Sequence, residues 1–213
     1  MAASEEITTQ ESTVEEWTEA LAQSSGSPGG GAGTGVMLAI AASLTSMVAG
    51  YSEDAGKELL DRARTLRETA LRLADEDAVA SKAFGAAFRL DPGPEREEAV
   101  RRASVEAAKA SAVLGDHAVD AIEDLAWLAT KGNPALIADV VVAFGALRAA
   151  IAGARTNVSF DLAALAKDGT PLEDVRSQHP QLWETVGRLS DAMDHIDELT
   201  AAVDTKAAPT DTL

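Results

Sequence analysis

The chain contains no cysteine. That absence removes disulfides, thiolate nucleophiles, iron–sulfur clusters and cysteine zinc sites together. Aromatic residues are scarce at 4%, so a core has to be assembled from Ala, Leu, Val and Ile, a palette suited to close-packed helices rather than sheets. Cations are outnumbered as well: 18 Lys and Arg face 35 Asp and Glu, a net charge of −17. A surface of that sign does not displace counterions from nucleic acid, so no nucleic-acid partner is expected. The three histidines show no ligand spacing, which leaves no expected metal site. No Gly-Lys-Ser/Thr follows the glycine-rich stretch, and no Gly-x-Ser-x-Gly elbow exists. A convincing membrane span is also missing. Gly35 to Tyr51 is uncharged but short and follows an acidic leader, while Pro134 to Ala154 carries Asp139 and Arg148. Both read as buried helices of a soluble protein, with no membrane partner.

What is present is ordinary globular usage, 46% hydrophobic and 25% charged, in 213 residues, enough for one domain with a sizeable core. The pattern predicts an all-α bundle of about five to six helices over residues 12–203, with frayed tails at 1–11 and 204–213. Ser12-Thr13-Val14-Glu15 resembles a capping box opening a helix to about Gln23. A glycine-rich stretch, Ser24 to Gly35, feeds an apolar helix over 36–50. Leu59, Ala63, Leu66, Ala70, Leu73, Phe84 and Phe88 mark one stripe of a helix from about Ala55 to Leu90, and Asp91-Pro92-Gly93-Pro94 ends it. A fourth helix covers about Glu95 to Thr130, interrupted near Gly115. A fifth starts at Pro134 and reaches Ala166 before the break at Asp168-Gly169-Thr170-Pro171, and a last one spans Leu182 to Val203.

Few residues suggest chemistry. The glycine stretch reads either as a flexible linker or as a loop whose backbone N–H groups approach a ligand at a helix start. Asp77 continues the apolar stripe, where an unpaired carboxylate is costly; it is either satisfied by an Arg or a helix terminus, or a working acid. Asp139 stands alone among Leu136, Ile137, Val140, Val141 and Val142 and poses the same choice more sharply. Asn157 lies 18 residues further on, five turns, so it shares a direction with Asp139 but stands about 27 Å away on a straight helix. A long ligand or a symmetric dimer would have to reconcile them. Asn133 precedes Asp139 by six residues and fits a turn or N-cap role.

Three segments, in register, resemble the cyclodeaminase/cyclohydrolase family. They are Ser27-Pro28-Gly29-Gly30-Gly31 with the helix ending Ser46-Met47-Val48-Ala49; Asp75-Glu76-Asp77-Ala78 leading to Ala87-Phe88-Arg89-Leu90; and Gly132-Asn133, Ala138-Asp139 and Asn157-Val158-Ser159-Phe160-Asp161-Leu162. The resemblance implies an obligately dimeric helical fold acting on folate one-carbon units. Such enzymes either open methenyltetrahydrofolate with water or expel ammonia from 5-formiminotetrahydrofolate. It implies catalytic roles for Asp139 and, second, Asp77, and substrate-binding roles for Gly29, Gly30, Gly31, Asn133 and Asn157. The expectation is therefore a cytoplasmic, homodimeric methenyltetrahydrofolate cyclohydrolase forming 10-formyltetrahydrofolate, with no cofactor beyond the tetrahydrofolate substrate and no metal. The alternatives are a cyclodeaminase, or an altered member serving as a scaffold or taking a non-folate ligand. The departures from the family pattern are Ala138 for Ser, Asp161 for Asn, Ser81 for an aromatic, Gly115 for Pro, and Ser52-Glu53-Asp54-Ala55-Gly56 for a basic stretch.

Overall fold

The computed structural model describes residues 7–24, 26–166 and 170–211. Among them are eight α-helices: α1 (Val14–Leu21), α2 (Gly30–Gly50), α3 (Gly56–Phe88), α4 (Pro94–Asp120), α5 (Ile122–Lys131), α6 (Ile137–Leu165), α7 (Leu172–Gln178) and α8 (Pro180–Ala207), with a 3-10 turn at Pro134–Leu136. No strand occurs among the described residues. The expected class holds, with more helices than the five to six anticipated. Residues 168 and 169 of the expected break lie outside the described residues, as do residues 1–6 and 212–213 of the expected tails.

The differences have physical causes. The capping box sits one residue later than anticipated: Thr13 Oγ1 accepts from Glu16 N–H at 3.2 Å, and Glu16 Oε2 accepts from Thr13 N–H at 2.9 Å. That register turns Trp17 inward, where Nε1 donates to Thr9 Oγ1 at 3.1 Å. Thr9 N–H in turn donates to Asp75 Oδ1 at 2.5 Å, so residues 7–11 are tied to α3 and the ordered body starts ahead of residue 12. At the other end α8 begins at Pro180 and continues to Ala207.

α2 starts at Gly30, not at 36, which removes the linker reading of its glycines. Each glycine in a helix costs about 1 kcal/mol against alanine. Close approach is the compensation: a Cβ on Gly35 would stand 2.8 Å from Ala74 Cβ, and one on Gly153 of α6 would stand 2.3 Å from Thr34 Oγ1. The fourth segment breaks at Ala121, dividing α4 from α5, and not near Gly115. Gly115 is a packing residue, because a Cβ there would lie 2.9 Å from the Leu189 side chain.

α2 and α6 run antiparallel through the centre, Thr34 beside Gly153 at one end and Tyr51 beside Asn133 at the other. α3 and α4 flank them and α8 closes the far side. Phe144, Leu147, Ile151, Leu38, Leu189 and Ile196 are wholly enclosed in this core. Both α2 and Pro134–Leu165 are long and apolar enough to cross a membrane. α2 behaves as the expected core helix, with 56% of its apolar stretch buried, but the second stretch is only 33% buried. Its buried line (Val140, Phe144, Leu147, Ile151, Val158) is backed by an open side of small and apolar residues, including Val142 and Phe160. The stripe of α3 likewise fades: Leu59, Ala63, Ala70 and Leu73 are buried and Leu66 half-buried, whereas Phe88 is exposed and stacks on Phe84 with centroids 4.9 Å apart.

Candidate functional site

α2 has no side chain of its own to cap it, since its N-cap is Gly29. The cap comes from α3. Asp77, half-buried, accepts the Ala32 N–H and takes Ser81 Oγ on Oδ2 at 3.4 Å. This arrangement depends on Gly31: a Cβ there would fall 2.1 Å from Asp77 Oδ1. Cβ atoms on Gly29 or Gly30 would meet nothing within 4 Å, so of the three expected glycines only Gly31 is sterically required. The α2 N-terminus thus supplies a backbone donor to a protein carboxylate. Burial pushes the Asp77 carboxyl up, while the bonds from Ser81 and Ala32 pull it down, and burial wins.

Asn157 faces the same place from α6. With Gly31, Thr34, Leu73, Asp77, Ser111 and Ala154 it lines a pocket of about 110 Å³. One turn beyond Asn157 comes Asp161, only 9% exposed between Val158 and Leu162. Burial first, and the charge of Asp77 second, push its carboxyl up to about 7. The charge of Asp77 on α3 is therefore felt by a second acid on α6 at the head of α2. Sequence reasoning missed Asp161 as a site residue. Its signal was available in the i,i+4 spacing from Asn157 and in its isolation within an apolar run.

The remaining expected residues lie elsewhere. Asn133 binds the foot of α2: its N–H donates to Ser52 Oγ at 2.9 Å and its Nδ2 to Tyr51 O at 3.3 Å. Its Oδ1 accepts from Ala135 N–H at 3.0 Å, capping the 3-10 turn. Asp139 occupies the first turn of α6, where the helix dipole favours an acid, and is half-exposed. The expectation of a buried lone carboxylate there is corrected, because its neighbours include exposed Ala138 and Val142. α6 continues unbroken from Ile137 to Leu165, so Asp139 and Asn157 stand about 27 Å apart. Within one chain the expected site divides into a head (Gly31, Asp77, Asn157, joined by Asp161) and a foot (Asn133, Asp139). A larger groove of about 570 Å³ between α3, α4 and α5 borders neither, and two of its acids are already bridged, Asp124 to Arg62 and Asp61 to Lys57. No trio of His, Asp or Glu among the described residues is placed to hold a metal ion.

Residues 13–180, which contain both clusters, match the family described as formiminotransferase-cyclodeaminase. The chain belongs to that family. It is 29% identical over 160 residues to the methenyltetrahydrofolate cyclohydrolase of Methylorubrum extorquens, covering 68% of this chain and 77% of that protein. Its fold is that of the formiminotetrahydrofolate cyclodeaminase of Thermotoga maritima, with a TM-score of 0.77 at 20% identity, over 96% of this chain and 99% of that one.

For this member of the formiminotransferase-cyclodeaminase family, the departures can now be placed. Ser81 is a direct partner of Asp77, Asp161 enlarges the acid cluster, and Gly115 admits Leu189 against α4. Ala138 is exposed at the start of α6.

Proposed function

We propose that this chain is a folate one-carbon enzyme, a methenyltetrahydrofolate cyclohydrolase that opens the methenyl bridge with water to give 10-formyltetrahydrofolate. The observation that carries the reading is the Asp77 carboxylate over Gly31, beside Asn157 in the α2–α3–α6 pocket. The similarity to the Methylorubrum cyclohydrolase supports it. The substrate's amidinium carbon is cationic, so an acidic pocket attracts it. Asp77 takes a proton as water adds to that carbon, and returns one to N5 as the carbon–N5 bond breaks. The second water proton leaves to solvent, and the formyl group stays on N10. A carboxyl that burial makes more basic than usual suits both transfers. Asn157 orients the bridge.

The reading includes a homodimer in the cytoplasm. α2 exposes Met37, Ile40, Met47 and Tyr51 along one face, and α6 adds Val142 and Phe160. A contiguous apolar face on a highly charged chain is suited to a second copy. Because α2 and α6 are antiparallel, a two-fold axis across their middle sets the head of one copy against Asn133 and Asp139 of the partner subunit. That geometry reconciles the two clusters, with Asp139 adding negative charge to the bound cation.

The test follows loss of methenyltetrahydrofolate absorbance by the purified protein against the spontaneous rate, beside ammonia release from 5-formiminotetrahydrofolate. Accelerated loss is expected. Ammonia release alone would assign the chain to the deaminase reaction, and neither would overturn the folate reading. Sedimentation at micromolar concentration is expected to show a dimer; a stable monomer would overturn the shared site.

A further inference from the structure

α2 lies between α3 and α6 only as far as its start at Gly30, beside Asp77 and Asn157. Both flanking helices continue past it. Asp77, Ser81, Phe84 and Phe88 recur at helical spacing on one stripe of α3, and Asn157, Asp161 and Ala164 do so on α6. Where these stripes end, Phe88, Ala164 and Leu165 enclose, with Arg96, Val100 and Arg101 of α4, a cavity of about 320 Å³. Along the helix axes it stands about 10 Å beyond Asn157 and about 16 Å beyond Asp77. The Arg96 guanidinium lies 5.6 Å from the centroid of the exposed Phe88 ring, which stacks on Phe84. Neither Arg96 nor Arg101 forms an ion pair among the described residues, whereas Arg62, Arg72, Arg148 and Arg188 all do. Glu97 also lines the cavity and bridges to neither. Two unpaired cations beside an open ring suit a carboxylate carried on an aromatic group.

We propose that this cavity carries the tail of the substrate, its aromatic ring against Phe88 and its terminal carboxylate on Arg96 and Arg101. Under the folate reading, on which the choice of ligand rests, the tail is the benzoylglutamate that follows N10. With the methenyl bridge at Asp77 and Asn157, a ring, an amide and a glutamate extend along the seam of α3 and α6 towards the arginines. Opposite ends of one ligand thus meet opposite charges, the amidinium at the acidic head and the carboxylate at the cavity. That order fixes which way the substrate lies, because a reversed ligand would set cation against cation and acid against acid. Arg96 and Arg101 stand away from the reacting carbon, so they hold substrate and transition state equally and set affinity rather than turnover.

Two measurements separate this tail site from the folate reading. Arg96→Gln combined with Arg101→Gln is expected to raise the KM for methenyltetrahydrofolate about tenfold while kcat stays within about twofold, the pattern of lost uniform binding. Arg102→Gln, next along α4 and outside the lining, removes the same charge and should leave KM unchanged. Calorimetry with N-(4-aminobenzoyl)-L-glutamate, the tail alone, is expected to show binding to the wild type that weakens about tenfold in the double variant and falls with added salt. An unchanged KM in a double variant that turns the substrate over would overturn the tail site, as would equal affinity of the tail for both proteins. Equally tight binding of 4-aminobenzoate, which lacks the glutamate, would make the cavity a site for aromatic acids in general and overturn the tail. Tail binding lost in the double variant, without folate turnover by the wild type, would overturn the cyclohydrolase reading and leave the tail site standing.

Discussion

The two ends of α2 use similar residues in opposite ways. At the head, Asp77 caps the helix across a glycine and meets a second acid, and burial raises both carboxyls. At the foot, Asn133 uses its side chain and its N–H on Tyr51, Ser52 and Ala135, and Asp139 rests half-exposed in the favourable first turn of α6. At the head, burial disfavours the charged form of both carboxyls. The foot is locally satisfied, and only the proposed dimer would give it a part in the chemistry. A polar residue in an apolar stretch therefore does not announce a site by itself; what separates the two ends is whether its needs are met at home.

The comparison breaks most visibly through activity. Asp77→Asn is expected to lower kcat by about 10²-fold or more with helical content unchanged, as loss of a general acid–base does. Asp139→Asn should also remove most activity if the foot completes the partner's head. Mixing the two inactive variants is then decisive. Random exchange of subunits creates heterodimers with one intact site, so about a quarter of wild-type activity should return. No recovery would assign the head its chemistry without the foot.

Gly31→Ala comes next. Its Cβ would enter the Asp77 carboxylate, and overpacking of this kind costs about 1–3 kcal/mol. Activity and Tm are expected to fall together, whereas Gly30→Val, whose Cβ meets nothing within 4 Å, should leave both largely intact. Equal effects would mean that the head is not built on one glycine.

The acid pair predicts a pH dependence of stability. Asp161 is raised from 3.8 to about 7 in the fold, so the native state holds its proton where the unfolded chain has lost it. Stability from this group is greatest below 3.8 and is lost as pH rises to about 7. Thermal melts of Asp161→Asn should fall less over that window than those of the wild type, and identical slopes would mean that burial leaves the Asp161 carboxyl at its ordinary value. The smallest effect belongs to the foot. Asn133→Ala deletes a cap worth about 1 kcal/mol, seen as a Tm lower by a few degrees.

Helix identity was legible because period and turn chemistry agreed: the stripe from Leu59 to Leu73 and the Asp91–Pro94 turn are both present. The glycine run misled because composition reports backbone freedom and cannot show that Ala74, Asp77 and Thr34 consume it. Asp77 was legible as an acid on an apolar stripe. Asp139 looked stronger for the same reason and is half-exposed, since an apolar run does not disclose which of its sides another surface covers. Asp161 was noted as a departure and its spacing from Asn157 was readable, but its place in the site depends on Asp77 approaching from a different helix.

The strap at the N-terminal side gives the head a built-in optical label. Trp17 lies in a small cluster with Ala32 and Ala74, next to the α2 start and one turn before Asp77 on α3, while its indole N–H is held by Thr9. The other tryptophans, Trp127 and Trp183, sit on α5 and α8. With those two replaced by phenylalanine, emission from the remaining indole would report ligand binding or unfolding around the α2 start alone, in real time and without an attached dye.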